Sequence, residues 1–113
     1  MSPNELAKRR HAGLPPPCVE TAQGAVAMSV QLADGELWVL PWSRFCHARL
    51  AGEEMTLAFG EVDIVLRGQN LAAVAKDAVT LSIEALRTLP AQYRPIIPAT
   101  EAFISEMEVI PSK

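Results

Sequence analysis

From Ala25 onward the chain alternates. Val26, Met28, Val30 and Leu32 take every second place, separated by Ala27, Ser29 and Gln31. A period of two is the spacing at which a strand turns one side to a core and the other to water. The alternation recurs in short runs broken by Asp34-Gly35, Gly52-Glu53 and Gly60-Glu61. Asp-Gly suits a type I′ hairpin turn, and a pair that begins with Gly suits type II′. Five strands are therefore expected, near residues 26–32, 36–40, 45–51, 55–59 and 62–67. Short turns favour pairing each strand with the next, as an antiparallel meander. Pro41 lacks a backbone donor, so the second strand must end, bulge or lie at an edge there.

A meander of half-buried strands needs a cover. Gly68 and Gln69 are expected to turn the chain, with Asn70 as the N-cap of a helix. Leu71 to Leu89 contains no Gly or Pro, and the pattern predicts one long helix over that stretch. Its apolar arc spans roughly 200°, wider than the ~100° that docking on a sheet requires, so a second surface is expected to touch it. Before residue 25, Ser2, Pro3 and Glu5 mark the start of a short helix, and Gly13-Leu14-Pro15-Pro16-Pro17 ends it as a stiff spacer. After residue 89, Pro90, Pro95 and Pro98 predict an extended tail. Thr100 and Glu101 are positioned to start a last short helix, and Val109-Ile110-Pro111 to pair with a sheet edge. The expectation is an α+β fold: an N-terminal helix and Pro-rich segment over residues 1–24, then one domain over residues 25–113.

The 113 residues are enough for a single core without disulfide or metal staples. A net charge of −3 argues against nucleic-acid binding, which rests on basic surface; the Lys8-Arg9-Arg10-His11 cluster reads as solvated. No apolar run approaches the roughly 20 residues of a membrane span, and no apolar stretch follows the N-terminal basic residues as in a signal peptide. A cytoplasmic chain with Cys18 and Cys46 as reduced thiols is expected.

Chemistry-bearing residues are scattered. Cys46-His47 has the composition of an activated nucleophile, but neighbours in a strand point to opposite faces. Cys46 is thus expected in the core and His47 on the surface. Cys18, Cys46, His11 and His47 lack the spacing of a metal site, and Glu53, Glu54, Glu61 and Asp63 sit at turns. Ser82, on the apolar side of the long helix, is expected to bond back to helix carbonyls. No catalytic residue, metal ligand or cofactor is assigned. The candidate binding residues are Trp42, Phe45, His47 and Arg49, a Trp/Phe/Arg set of the kind enriched at interfaces. The competing reading is that Trp42 and Phe45 close the open end of the core.

The hairpin Leu32-Ala33-Asp34-Gly35-Glu36, the run Leu40-Pro41-Trp42-Ser43-Arg44-Phe45, and Leu66-Arg67-Gly68-Gln69-Asn70-Leu71 together resemble a set of short bacterial proteins of unknown function. The shared motifs are structural, and the resemblance implies no catalytic residue. The leading expectation is a non-enzymatic protein-interaction module that binds a protein partner or itself, with no nucleic-acid or membrane partner. The alternative is a small-ligand-binding protein or minor enzyme with a pocket between sheet and helix, using His47, Arg49 or Cys46.

Overall fold

The structure, a computed structural model, describes residues 3–111. It is α+β, with eight strands in two four-stranded sheets. The elements are α1 (Pro3–His11), β1 (Val19–Thr21), β2 (Ala27–Gln31), β3 (Leu37–Pro41), β4 (His47–Ala51), β5 (Glu54–Ala58), β6 (Val62–Gln69), α2 (Leu71–Val79), β7 (Ile83–Arg87) and β8 (Phe103–Pro111). Two 3-10 helices, Trp42–Arg44 and Ala91–Ile96, link β3 to β4 and β7 to β8. One sheet runs β1-β7-β2-β3 and the other β4-β5-β6-β8.

All five strands expected from the alternation are present, but they do not form one meander. At Pro41 the chain leaves the first sheet, and Trp42–Arg44 carries it into the second. Only β4, β5 and β6 pair in sequence there. The chain then returns through α2 to β7, which lies parallel to β2. Parallel neighbours need a long crossover, and here four strands, β3 to β6, and α2 supply it. Because the chain passes between the sheets repeatedly, both line a single core. Met28, Val30 and Leu86 from one sheet join Met55, Leu57, Ile64, Leu66 and Ile104 from the other.

The long helix expected over Leu71–Leu89 is two elements. α2 stops at Val79, and Ile83–Arg87 is a strand. Asp77 to Ser82 form a Schellman end: the Ser82 amide donates to the Asp77 carbonyl and the Leu81 amide to the Ala78 carbonyl, both at 3.1 Å. Leu81 holds the left-handed position with φ 53°, where glycine is usual. The Ser82 and Thr80 hydroxyls also donate to the Asp77 carbonyl, at 3.1 and 3.2 Å. Ser82 does bond back to the helix, from beyond its end. The true helix buries Leu71, Val74 and Ala78, the narrow stripe that docking on strands requires. Asn70 stands at the N-cap position with φ 55°, but its side chain makes no capping bond; its Nδ2 reaches the Ala99 carbonyl instead.

The termini also differ from expectation. Val19–Thr21, inside the expected appendage, pairs with β7, and Cys18 is buried in the core. The register slips between Glu20 and Thr21, opposite β7, which lets Ile83 and Leu86, three residues apart, both face inward. Arg9 is not solvated with the rest of its cluster. It binds both carboxylate oxygens of Glu101, at 2.5 and 3.0 Å, and the Pro15 carbonyl, at 2.9 and 3.0 Å. The Ser2 cap lies outside the described residues. The expected Pro-rich tail contains a 3-10 helix and then β8, a nine-residue strand on β6, in place of a last helix. Val109, Ile110 and Pro111 do pair with an edge.

Gly68 explains why β8 can pair as it does. Gly68 is inside β6 rather than at a turn, where the β6–β8 register shifts. A Cβ at this position would stand 1.9 Å from the Phe103 carbonyl oxygen and 3.0 Å from the Ile104 Cα. Both are backbone atoms, so neither can swing away. Gly68→Ala is expected to lower stability by about 3 kcal/mol or more, read as a fall in the urea midpoint. Leu81→Gly should act oppositely, since it removes a left-handed penalty of about 1–2 kcal/mol at a position already 40% exposed. A rise in thermal midpoint is the outcome expected.

Candidate interaction surface

The four residues singled out in the sequence do not share one surface. Trp42 is only 5% exposed. Its ring lies 5.1 Å from Phe45 and 5.4 Å from Phe59, and Phe45 is 5.4 Å from Phe59. The indole Nε1 donates to the Ile83 carbonyl at 2.9 Å, and the backbone amide to Val26. Trp42 and Phe45 close the core where the chain crosses between sheets, and Trp42 is buried there. His47 and Arg49 lie on β4, an edge strand whose five residues are all exposed. Cys46, expected in the core, is exposed as well. An edge strand at the outer limit of a sheet is too far from the core centre to be covered on both sides.

His47 and Arg49 belong to the outer face of the second sheet. Opposite them across β5 and β6 are Ala58 and Asp63, then Thr56 and Val65. The same face carries Arg67, which contacts Glu54, Glu106 and Glu108 at 3.1, 3.3 and 3.0 Å. The Glu108 carboxylate, followed by Glu54, raises the Arg67 pKa. This surface is charged; Arg67 is paired within it, whereas the buried Asp63 Oδ1 has no hydrogen-bond partner. Among the described residues no three His, Cys, Asp or Glu side chains are placed to hold a metal.

Two exposed apolar side chains stand together on the first sheet, at β3, which the sequence reading passed over. Leu37 is 56% and Val39 63% exposed. Their backbone orientation follows from the hairpin. The Leu32 amide donates to the Glu36 carbonyl at 2.9 Å and the Trp42 amide to Val26 at 3.0 Å. With the register Gln31↔Leu37 to Ala27↔Pro41, Trp38 and Leu40 are then the β3 residues bonded to β2. Leu37, Val39 and Pro41 point their backbone groups away from it. The turn that sets this phase is not type I′: only Gly35 has positive φ, at 92°, and the Gly35 amide closes on Leu32 at 3.0 Å. It is a three-residue loop with glycine in the left-handed position, and Asp34 Oδ1 accepts the Glu36 amide. Pro41 fits its place because the donor it lacks would have faced outward.

Beside this edge runs a groove of about 310 Å³ lined by Trp38, Val39, Leu40 and Pro41 on one wall, with Arg44, Phe59, Glu61 and Val62 completing it. Arg44 and Glu61 pair across its rim at 3.1 Å. Trp38 is anchored by its Nε1 bond to Glu36. α2 lies chiefly against β4 and β7. No helix among the described residues is long and apolar enough to cross a membrane.

Comparisons with protein-family models, with curated proteins and with solved structures gave no match.

The two thiols have opposite settings. Cys18 is buried, accepts the Ile104 amide at 3.3 Å, and its pKa is raised, chiefly by burial. Folding therefore holds its proton more tightly than the unfolded chain does, and this stabilisation is present below the ordinary thiol value of 9.0 and lost as pH rises above it. With a thiol reagent at neutral pH, Cys46 should react at once and Cys18 only on unfolding. Stability should fall more steeply above pH 9 in wild type than in Cys18→Ala.

Proposed function

We propose that this chain is a non-enzymatic protein-interaction module that binds an extended polypeptide segment along the β3 edge. The observation that supports the reading most strongly is the coincidence of three features on one strand. β3 has outward-directed backbone groups at Leu37 and Val39, exposed apolar side chains at the same residues, and a groove beside it walled by Trp38 and Phe59. Strand addition uses such parts: main-chain hydrogen bonds supply affinity, and pockets for alternate side chains supply selectivity. β4, the other exposed edge bearing sequence-assigned candidates, pairs Ala48 with a less exposed Leu50, at 38%, and is flanked by α2.

The non-enzymatic part rests on the way polar groups are used. Cys46 and His47 are adjacent but not bonded to one another; the Cys46 thiol contacts the Arg44 carbonyl. Arg9, Arg67 and Arg87 are each held by carboxylates of the same chain. The grooves lined by β3 or by Arg87 draw no residue from α2, which favours the β3 edge over a pocket between sheet and helix. A cytoplasmic setting, with both thiols reduced, belongs to the same proposal.

Peptides selected on the protein from a random display library test this reading. In isotope-labelled protein they should shift the amides of Leu37, Val39, Arg44, Phe59 and Val62. Val39→Pro deletes an outward donor without removing a β2–β3 bond, and should weaken such peptides about tenfold, the value of one well-made hydrogen bond. Binders that map to β4, or that ignore Val39→Pro, would show the reading to be wrong.

A further inference from the structure

We infer that residues 3–17 form a strap that the Arg9–Glu101 ion pair holds closed, and that α1 swings away from the domain when this pair is broken. The attachment is concentrated in one side chain. The Arg9 guanidinium donates to both Glu101 carboxylate oxygens, at 2.5 and 3.0 Å, and twice to the Pro15 carbonyl, at 2.9 and 3.0 Å. It therefore fastens the helix to its own spacer, and both to the segment that leads into β8. The Arg9 side chain is 12% exposed and that of Glu101 23%, so water screens the pair less than an ordinary surface bridge.

The rest of α1 has little hold on the body. Asn4, Glu5, Ala7, Lys8, Arg10 and His11 are exposed. Leu6 and Leu14 are half-buried, but among the described residues they do not belong to the side chains packed on the core. The strands and α2 carry the packing between elements there. At nine residues, α1 is also shorter than the ~12–15 that keep helical form alone in water. Losing the tie thus costs the helix its order as well as its place.

The movement has a hinge and a stop. α1 ends in a Schellman motif, with the Leu14 amide donating to the Arg9 carbonyl at 2.8 Å and the Gly13 amide to Arg10 at 3.1 Å. Gly13, at φ 75° and with nothing within 4 Å of where a Cβ would lie, is where the chain turns at least cost. The stop is Pro17, which is buried beside Cys18. Its carbonyl accepts Arg87 Nη1 at 2.5 Å, while Arg87 Nη2 binds Glu20. The two guanidinium clasps differ in kind. Arg87 joins β1 to β7 within a sheet, so its pair belongs to the fold. Arg9 joins a helix to the domain, so its pair governs the strap alone. Closed, Arg9 is neutralised by Glu101; open, it rejoins Lys8, Arg10 and His11 as a continuous basic run. Salt screens the pair and favours the open form.

Trypsin cleavage after Arg10, followed by mass spectrometry at low and high salt, reads the opening, because cleavage of a rapidly opening segment tracks its open population. Each rate is normalised to a free peptide of the same residues, which removes the effect of salt on the protease. Glu101→Gln leaves every trypsin site in place. It should raise cleavage after Arg10 about tenfold, the value of one hydrogen-bonded charge pair, with the urea midpoint unchanged. Salt should speed cleavage of wild type and not of Glu101→Gln. Arg9→Gln should open the strap as well, and adding Glu101→Gln to it should change nothing more, since both remove one pair. Glu20→Gln, at the other clasp, should lower the urea midpoint without a comparable rise in Arg10 cleavage. A Glu101→Gln protein cut at the wild-type rate, or effects of Arg9→Gln and Glu101→Gln that add, would show that the pair does not hold the arm and overturn the inference. So would a urea midpoint that falls in Glu101→Gln in step with cleavage, because the pair then belongs to the fold as a whole.

Discussion

The backbone of β6 comes so close to that of β8 that no side chain can stand between them at Gly68, and much of the architecture follows from that approach. It brings Phe103 and Ile104 into register with Gln69 and Gly68. Ile104 then joins the two sheets: its amide meets the Cys18 thiol, and its carbonyl accepts the Leu89 amide at 3.2 Å. Cys18 in turn accepts the Arg87 amide through its own carbonyl at 2.8 Å. A single position without a Cβ thus permits a seam through which β1, β7 and β8 are held together. At the opposite crossing, Trp42 does the corresponding work, bonding to Ile83 and packing on Phe45 and Phe59.

With both crossings closed, what remains open is informative. β4 and β3 are the exposed edges nearest the chain crossing, but they differ in kind. β4 presents His47 and Arg49 beside an ion-paired face and lies next to α2. β3 presents Leu37 and Val39 with no element beyond it. Long apolar edges are hazardous because they accept any strand. Pro41 limits the hazard by ending the run of outward donors after Val39, so the edge is short rather than absent. Selective pairing through a short edge is the basis of the proposed function.

The strands were legible because each is short, alternates cleanly and is bounded by a turn residue. The long helix was misread for an identifiable reason. Leu81, Ala85, Leu86 and Leu89 extend a helical pattern from Leu71 and Val74, but they belong to a turn, a strand and a loop. The apolar arc of roughly 200° was itself the sign that two elements had been superimposed on one wheel. Leu81 hid the boundary, since a Schellman end is recognised by glycine and here holds leucine. Among the candidate residues, Trp42 drew attention as part of a Trp/Phe/Arg set of the kind enriched at interfaces, but that composition cannot distinguish a surface anchor from a plug. β3 was recognised as a strand but not as an open edge, because having no neighbour on one side is a property of the sheet and not of the strand's own residues.

The sequence by itself determined the local matters: where strands start and stop, which glycines turn, and that Pro41 ends a ladder. These depend on φ preferences and on a two-residue period, which are properties of neighbours in the chain. It also determined that the chain is long enough for a single core without disulfide or metal staples. The tertiary structure decided which strands share a sheet, that β7 runs parallel to β2, that Arg9 reaches Glu101, and that Cys18 is buried while Cys46 is not. Each of these joins residues distant in sequence. Their energy comes from removing particular faces from water together, and no local pattern records which faces those will be.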